Sequence, residues 1–177
     1  MKALVVGAGI GGLSAALALA KSGWAVTVFE KSTTIKEIGA GVQISPNGMK
    51  VLNALGVTPL IENSLYEPKH LEVRFGRSGR KVFSVPFKEV ALKRWGARYI
   101  QIHRNDLIQA LLTALKNYNN VQIITGATVE SYLNGSSTVS INITNQKSEC
   151  GDLLIGADGL NSAIRGQMHG SSNPTYT

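Results

Sequence analysis

Apolar and polar positions follow two different periods along this chain. Lys2–Val6 is a valine-rich apolar run, residues 10–22 set Leu13, Leu17 and Ala20 on one stripe before Gly23, and residues 24–30 are apolar again. That succession predicts a strand, a helix and a strand. Strands joined in this way lie parallel, with the helix covering their sheet. Residues 32–43 show no period and read as a loop. Ser45-Pro46-Asn47 then opens a helix running to Leu55 ahead of Gly56, with Ser45 placed to cap it and Pro46 suited to its first turn. A second short helix is expected over residues 59–64. Residues 71–75 and 81–85 flank Gly76-Arg77-Ser78-Gly79, a hairpin signal.

The remainder repeats both patterns. Residues 99–103 read as a strand leading into a helix over 105–116, whose apolar face is Leu107, Leu111, Leu112 and Leu115. Val121–Thr125 is the next strand. Residues 127–133 and 138–144 alternate around Asn134-Gly135-Ser136-Ser137 as a second hairpin, and 152–157 is a buried-looking strand followed by Asp158-Gly159 and a helix over 161–167. Residues 170–177 have no hydrophobic period and read as a linker or a cut end. The sum is an α/β fold: a parallel central sheet with an antiparallel hairpin layer.

Composition narrows the class. At 177 residues the chain is about one domain or slightly more, and 44% hydrophobic against 16% charged residues excludes disorder. The single cysteine, Cys150, excludes an internal disulfide and any multi-cysteine metal site, and makes the cytoplasm the expected location. The apolar start superficially resembles a secretory signal, but Gly7, Gly9, Gly11 and Gly12 interrupt it where a continuous helix would be needed. The Asn-x-Ser/Thr triplets at Asn134 and Asn142 are accordingly read as chance. No membrane span is expected.

The formal charge of +7 is concentrated between Lys69 and Arg104, where only Glu72 and Glu89 are acidic. Such a strip suits an anionic small molecule or a solvated face; with no aromatic-interleaved ladder, no nucleic-acid partner is expected. His70, His103 and His169 have no sequence partner for metal binding or nucleophilic catalysis, so none is assigned either role.

Chemistry enters at the first strand–helix junction. Gly7-Ala8-Gly9-Ile10-Gly11-Gly12 satisfies G-x-G-x-x-G directly after a strand and directly before a helix. Gly7 allows the tight turn, Gly9 lets a pyrophosphate approach the main chain, and Gly12 lets helix and strand pack closely. Free N–H groups at the helix start would hold the phosphates. Glu30 ends the second strand eighteen residues after Gly12, where its carboxylate can accept both hydrogen bonds of a ribose diol and disfavours a 2′-phosphate. FAD or NAD is expected rather than NADP at that point, with the choice between them open.

Later stretches carry a resemblance. Gly39-Ala40-Gly41-Val42-Gln43-Ile44-Ser45-Pro46-Asn47, Arg104-Asn105-Asp106-Leu107, and above all the D-G-x-x-S-x-x-R match at Asp158, Gly159, Ser162 and Arg165 resemble the single-component FAD-dependent aromatic hydroxylases. The nearest branch is that of salicylate hydroxylase and 3-hydroxybenzoate 6-hydroxylase. The resemblance implies a Rossmann-like FAD-binding fold, incomplete relative to the family, with residues 1–66 and 99–177 in the FAD domain and a hairpin over 67–98 contributed to a substrate domain. It implies FAD as cofactor, NADH or NADPH as co-substrate, and molecular oxygen with a small aromatic acid as reactants; a homodimer stays open. Arg104, Asp158 and Gly159 would contact FAD, Gly41, Val42 and Gln43 would supply main chain beside its ribityl chain and ring, and Val129 would lie near adenine. Glu30 and the adjacent Lys31 complete the set. The family's third signature, a Gly-Asp pair before a helix, is missing: Gly151-Asp152 precedes a strand. No catalytic residue is therefore assigned, and this stretch alone is expected to bind FAD weakly or not at all. An NAD-dependent dehydrogenase and an inactive nucleotide-binding remnant are the alternatives.

Overall fold

Apolar, valine-rich runs form the central strands of this chain, and a stripe of mostly small residues forms its first helix. The computed structural model describes residues 1–35 and 40–170. In chain order these are β1 (Lys2–Val6), α1 (Ile10–Lys21), β2 (Ala25–Glu30), β3 (Gly41–Ile44), α2 (Pro46–Leu55), α3 (Thr58–Ile61), β4 (Leu65–Tyr66), β5 (His70–Arg74) and β6 (Lys81–Pro86). Then follow α4 (Lys88–Trp95), β7 (Ile100–His103), α5 (Arg104–Leu115), β8 (Val121–Thr125), β9 (Val129–Asn134), β10 (Val139–Ile143), β11 (Glu149–Gly151), β12 (Leu153–Gly156) and α6 (Ala163–His169). Gly39 of the resembling motif and nearly all of the tail read as a linker lie outside the described residues.

The chain divides into two units, Met1–Lys36 with Leu111–Thr177, and Glu37–Ala110. In the first, β12, β1, β2 and β8 form a parallel sheet in that order. Central β1 is buried along Ala3–Val6, which is why its sequence is a continuous apolar run rather than an alternating one. Helix α1 buries Gly12, Leu13, Ala16, Leu17 and Ala20, a mostly small-residue stripe at helical spacing that lets the helix lie close to the sheet. The antiparallel layer expected from sequence is present and has three strands, β11-β10-β9. Leu4, Val6 and Phe29 share one core with Val129, Tyr132, Val139, Ile141, Ile143 and Ile164.

Helix α6 packs Ile164 into that core and adds hydrogen bonds to the layer through one further side chain, Gln167. The Gln167 amide accepts from the Tyr132 N–H at 2.9 Å and donates to the Tyr132 carbonyl at 2.7 Å, completing main-chain pairing that β9 would otherwise lack there. Gln167→Ala should cost about 2 kcal/mol, because two part-buried main-chain groups lose their partner at once. Urea unfolding checks this: the midpoint should fall while the slope stays constant.

In the second unit β3, β7 and β4 form an antiparallel sheet and β5–β6 a separate hairpin. Three sequence expectations change here. The loop over 32–43 ends in a strand, because Gly41–Ile44 pairs with Ile100–His103 and glycine plus a brief apolar run concealed it. Ser45 occupies the N-cap position of α2, but its hydroxyl is turned to donate to Asn47 Oδ1 and makes no capping bond to a main-chain N–H. Helix α4 was hidden inside the basic strip: only Ala91 of it is buried, leaving no apolar face to read.

Glu62, following α3, makes a two-pronged ion pair with Arg98 at 2.8 and 2.7 Å. The guanidinium hydrogen bonds hold the Glu62 carboxyl below its ordinary range. A depressed folded pKa gives stability that is present above the unfolded value and lost as pH falls through the folded one. The difference in urea midpoint between wild type and Glu62→Gln should therefore be largest near neutrality and shrink as acidification protonates the folded carboxyl.

Candidate functional site

The turn after β1 exists because residue 7 has no side chain. Gly7 has φ +102°, and a Cβ there would lie 2.3 Å from the Ala157 carbonyl oxygen. Gly12 is tighter still: its Cβ would lie 1.9 Å from the Gly7 carbonyl oxygen. These two glycines let the turn, the start of α1 and the Ala157-Asp158 segment pack main chain against main chain. Gly9 differs from both. It is the N-cap of α1 at φ −74° and ψ −178°, ordinary extended backbone, and its Cβ would meet no atom within 4 Å.

Helix α1 begins there with no side-chain cap and no acidic residue in its first turn. Its leading N–H groups and positive dipole end are thus left to whatever occupies the space in front of Gly9. Glu30 lies at the edge of the same turn. Its Oε2 accepts from the Ala8 N–H at 2.8 Å and its Oε1 from the Ser32 N–H at 2.9 Å. Each oxygen keeps a second lone pair, so a diol can still be received. Lys31 is exposed beside it. Gly126 at φ +68° and Ala127 close this edge, donating to the carbonyls of Ser32 and Glu30. Val129 is buried in the core cluster, leaving only its main chain to face a ligand.

The Asp158–Arg165 stretch is a self-held turn. Asp158 accepts from the Ser162 hydroxyl and the Ile164 N–H, Ser162 accepts from the Arg165 N–H, and the Arg165 guanidinium donates to the carbonyls of Gly159 and Leu160. Gly159 turns at φ +84° with open space where a Cβ would stand. The structure thus brings Gly7, Gly12, Glu30, Asp158 and Gly159 into one unit, with the motif's polar side chains spent on building the turn.

In the second unit, Gly41, Val42 and Gln43 lie on β3 opposite His103, Ile102 and Gln101. Gln43 Oε1 accepts from the Tyr99 hydroxyl at 2.6 Å. Arg104 opens α5 at the strand–helix junction; its N–H donates to Ala40 and its Nε is buried. Among the described residues no cluster of His, Cys, Asp or Glu could hold a metal ion, and no helix is long and apolar enough to cross a membrane.

The sequence profile of the FAD binding domain matches residues 1–174. The chain belongs to that family. It is 36% identical over 171 residues to 3-hydroxybenzoate 6-hydroxylase 1 of Aquipseudomonas alcaligenes, covering 97% of this chain and 43% of that protein. Against 6-hydroxynicotinate 3-monooxygenase of Pseudomonas fluorescens it is 31% identical over 176 residues, covering 97% and 44%. Klebsiella pneumoniae HpxO complexed with FAD and uric acid shares the fold at a TM-score of 0.81 and 35% identity, over 94% of this chain and 41% of that one. The chain thus spans somewhat less than half the length of these relatives.

The residues of this FAD-binding domain fit the adenosine diphosphate half of FAD. A diphosphate brought to α1 meets main-chain N–H groups, the positive end of a helix and no side chain at position 9. Nothing in the protein requires glycine there, whereas an approaching phosphate does. Sequence reasoning missed the Ser32 N–H, a local contact two residues from Glu30, and the Gly126-Ala127 turn, which only long-range pairing brings to this edge. It also missed that Ser162 is the N-cap of α6, accepting from the Arg165 N–H, with Asp158 receiving the Ile164 N–H beside it.

Proposed function

We propose that this chain is the amino-terminal FAD-binding portion of an NAD(P)H-using monooxygenase that hydroxylates a small aromatic acid such as salicylate. The open, unstrained Gly9 at an uncapped helix start, edged by Glu30, is the observation that carries this reading. The N–H groups of α1 hold the pyrophosphate, and the absent Cβ at Gly9 allows contact distance. Glu30 takes the ribose diol on its free lone pairs while its existing bonds to Ala8 and Ser32 keep it in place. Gly7, Gly12 and the Asp158-Gly159 turn fix the main chain around the phosphates. Lys31 and the Val129 main chain border the adenosine end.

Gly41, Val42 and Gln43 present the main chain of β3 to the ribityl chain and ring, and Arg104 supplies a guanidinium for phosphate or ribose oxygens. FAD, once bound and reduced by NAD(P)H, supplies the oxygen-transfer chemistry. The chain's own part is to bind and orient, and by itself it retains FAD only weakly, because the contacts present must offset the cost of immobilising a large ligand. The relatives named as hydroxylases and monooxygenases of hydroxybenzoate and hydroxynicotinate support the substrate class. The natural polypeptide carrying these residues should purify yellow and oxidise NADH faster when salicylate is added. Colourless protein that cannot be reconstituted with FAD contradicts the reading.

A further inference from the structure

Within the second unit, α2, α4 and the segment entering β7 border an open cavity of about 580 Å³. One wall is aromatic: the Phe87 and Tyr99 rings stack with centroids 4.2 Å apart and planes 18° from parallel. Trp95 adds a third ring, with the Arg94 guanidinium 5.7 Å from its centroid. Lys50 reaches in from α2, its ammonium 3.9 Å from where a Cβ on Gly96 would stand, at the end of α4.

The lining has two cations and no carboxylate. Of the acids in this unit, Glu62 pairs with Arg98 and Glu72 with Arg74, Lys81 and His70, and neither Glu67 nor Glu89, on α4 with Arg94, lines the cavity. Neither Lys50 nor Arg94 forms an ion pair among the described residues. Two like charges facing one aromatic hollow repel each other, and a bound anion would relieve that repulsion while a flat ring filled the apolar part. The volume falls within the range of small-molecule pockets and exceeds what a single small ion needs.

We infer that this cavity binds a planar aromatic carboxylate of one or two fused rings, its carboxylate between Lys50 and Arg94 and its ring against the Phe87, Trp95 and Tyr99 wall. The binding requires no flavin, since no residue of the glycine turn lines the cavity. Its failure would therefore leave the FAD reading standing.

Calorimetric titration of the 177-residue chain at low salt and without FAD tests it, using 2-naphthoate, its neutral counterpart 2-naphthamide, and cyclohexanecarboxylate as an anion without a ring. Naphthoate should bind at one saturable site at least about fivefold more tightly than either control, since charge and ring must act together. Arg94→Gln and Lys50→Met should each weaken naphthoate roughly fivefold and leave naphthamide unchanged, while Arg94→Lys retains most of the binding. Both side chains are exposed, so circular dichroism should confirm an intact fold in every variant. Equal affinity for naphthamide, insensitivity to both charge-removing variants, or no saturation by about 10 mM naphthoate, the weak limit for so few contacts, overturns the inference.

Discussion

Replacing Gly12 with alanine should destabilise the chain by about 2 kcal/mol, even though alanine is the better helix former. The added Cβ would lie 1.9 Å from the Gly7 carbonyl oxygen and 3.3 Å from the Ala157 Cβ, so α1 must move away from the turn or the turn must open. Overpacking of this kind costs about 1–3 kcal/mol, and here the obstacle is main chain, which cannot swing aside as a flexible side chain does. Against this stands about 1 kcal/mol of improved helix propensity. The clash wins because no movement of one group relieves it. Urea denaturation should show a lower midpoint with an unchanged slope; stability equal to or above wild type would mean that α1 does not press on the glycine turn as described.

Gly9→Val should give the reverse pattern. Its backbone angles suit any residue and its Cβ meets no protein atom, so the fold should lose no more than about 1 kcal/mol, the penalty of an apolar branched residue at an N-cap. FAD affinity should fall roughly a hundredfold, to the edge of detection, because the isopropyl group fills the approach to the N–H groups of α1. Flavin fluorescence titration beside a melting curve separates the two effects. Together the glycine variants sort the motif by cause: Gly12 is glycine for the protein, Gly9 for the ligand. A Gly9→Val chain that keeps wild-type FAD affinity would remove the phosphates from this turn.

How much of this was legible in sequence depends on whether the cause was local. β1 and β8 were read with their observed limits because an apolar run bounded by polar residues needs no partner to be recognised. The glycine turn and Glu30 were legible for a similar reason, since the chemistry resides in main chain and one carboxylate at fixed spacing. β11 was not, because Glu149–Gly151 carries no strand pattern and is extended only by pairing with β10. Helix α4 escaped because its charges, Lys88, Lys93 and Arg94, look like a solvated face. The aromatic cavity was illegible altogether: Lys50, Phe87, Arg94 and Tyr99 are spread over most of the second unit's sequence and meet only through tertiary packing. In the Asp158–Arg165 stretch the positions were legible and the division of labour was not, as Asp158, Ser162 and Arg165 spend their polar groups on one another.

Nuclear magnetic resonance of the uniformly ¹⁵N-labelled chain during FAD titration bears most directly on the central claim, because even weak binding moves amide signals. The amides of Gly7, Gly9, Ile10, Gly11 and Gly12, with Ala8 and Ser32 that bond Glu30, should shift along one saturable curve, and ADP should reproduce those shifts. Signals that stay in place up to millimolar FAD, or that move only outside the β1–α1 turn and the end of β2, would contradict it.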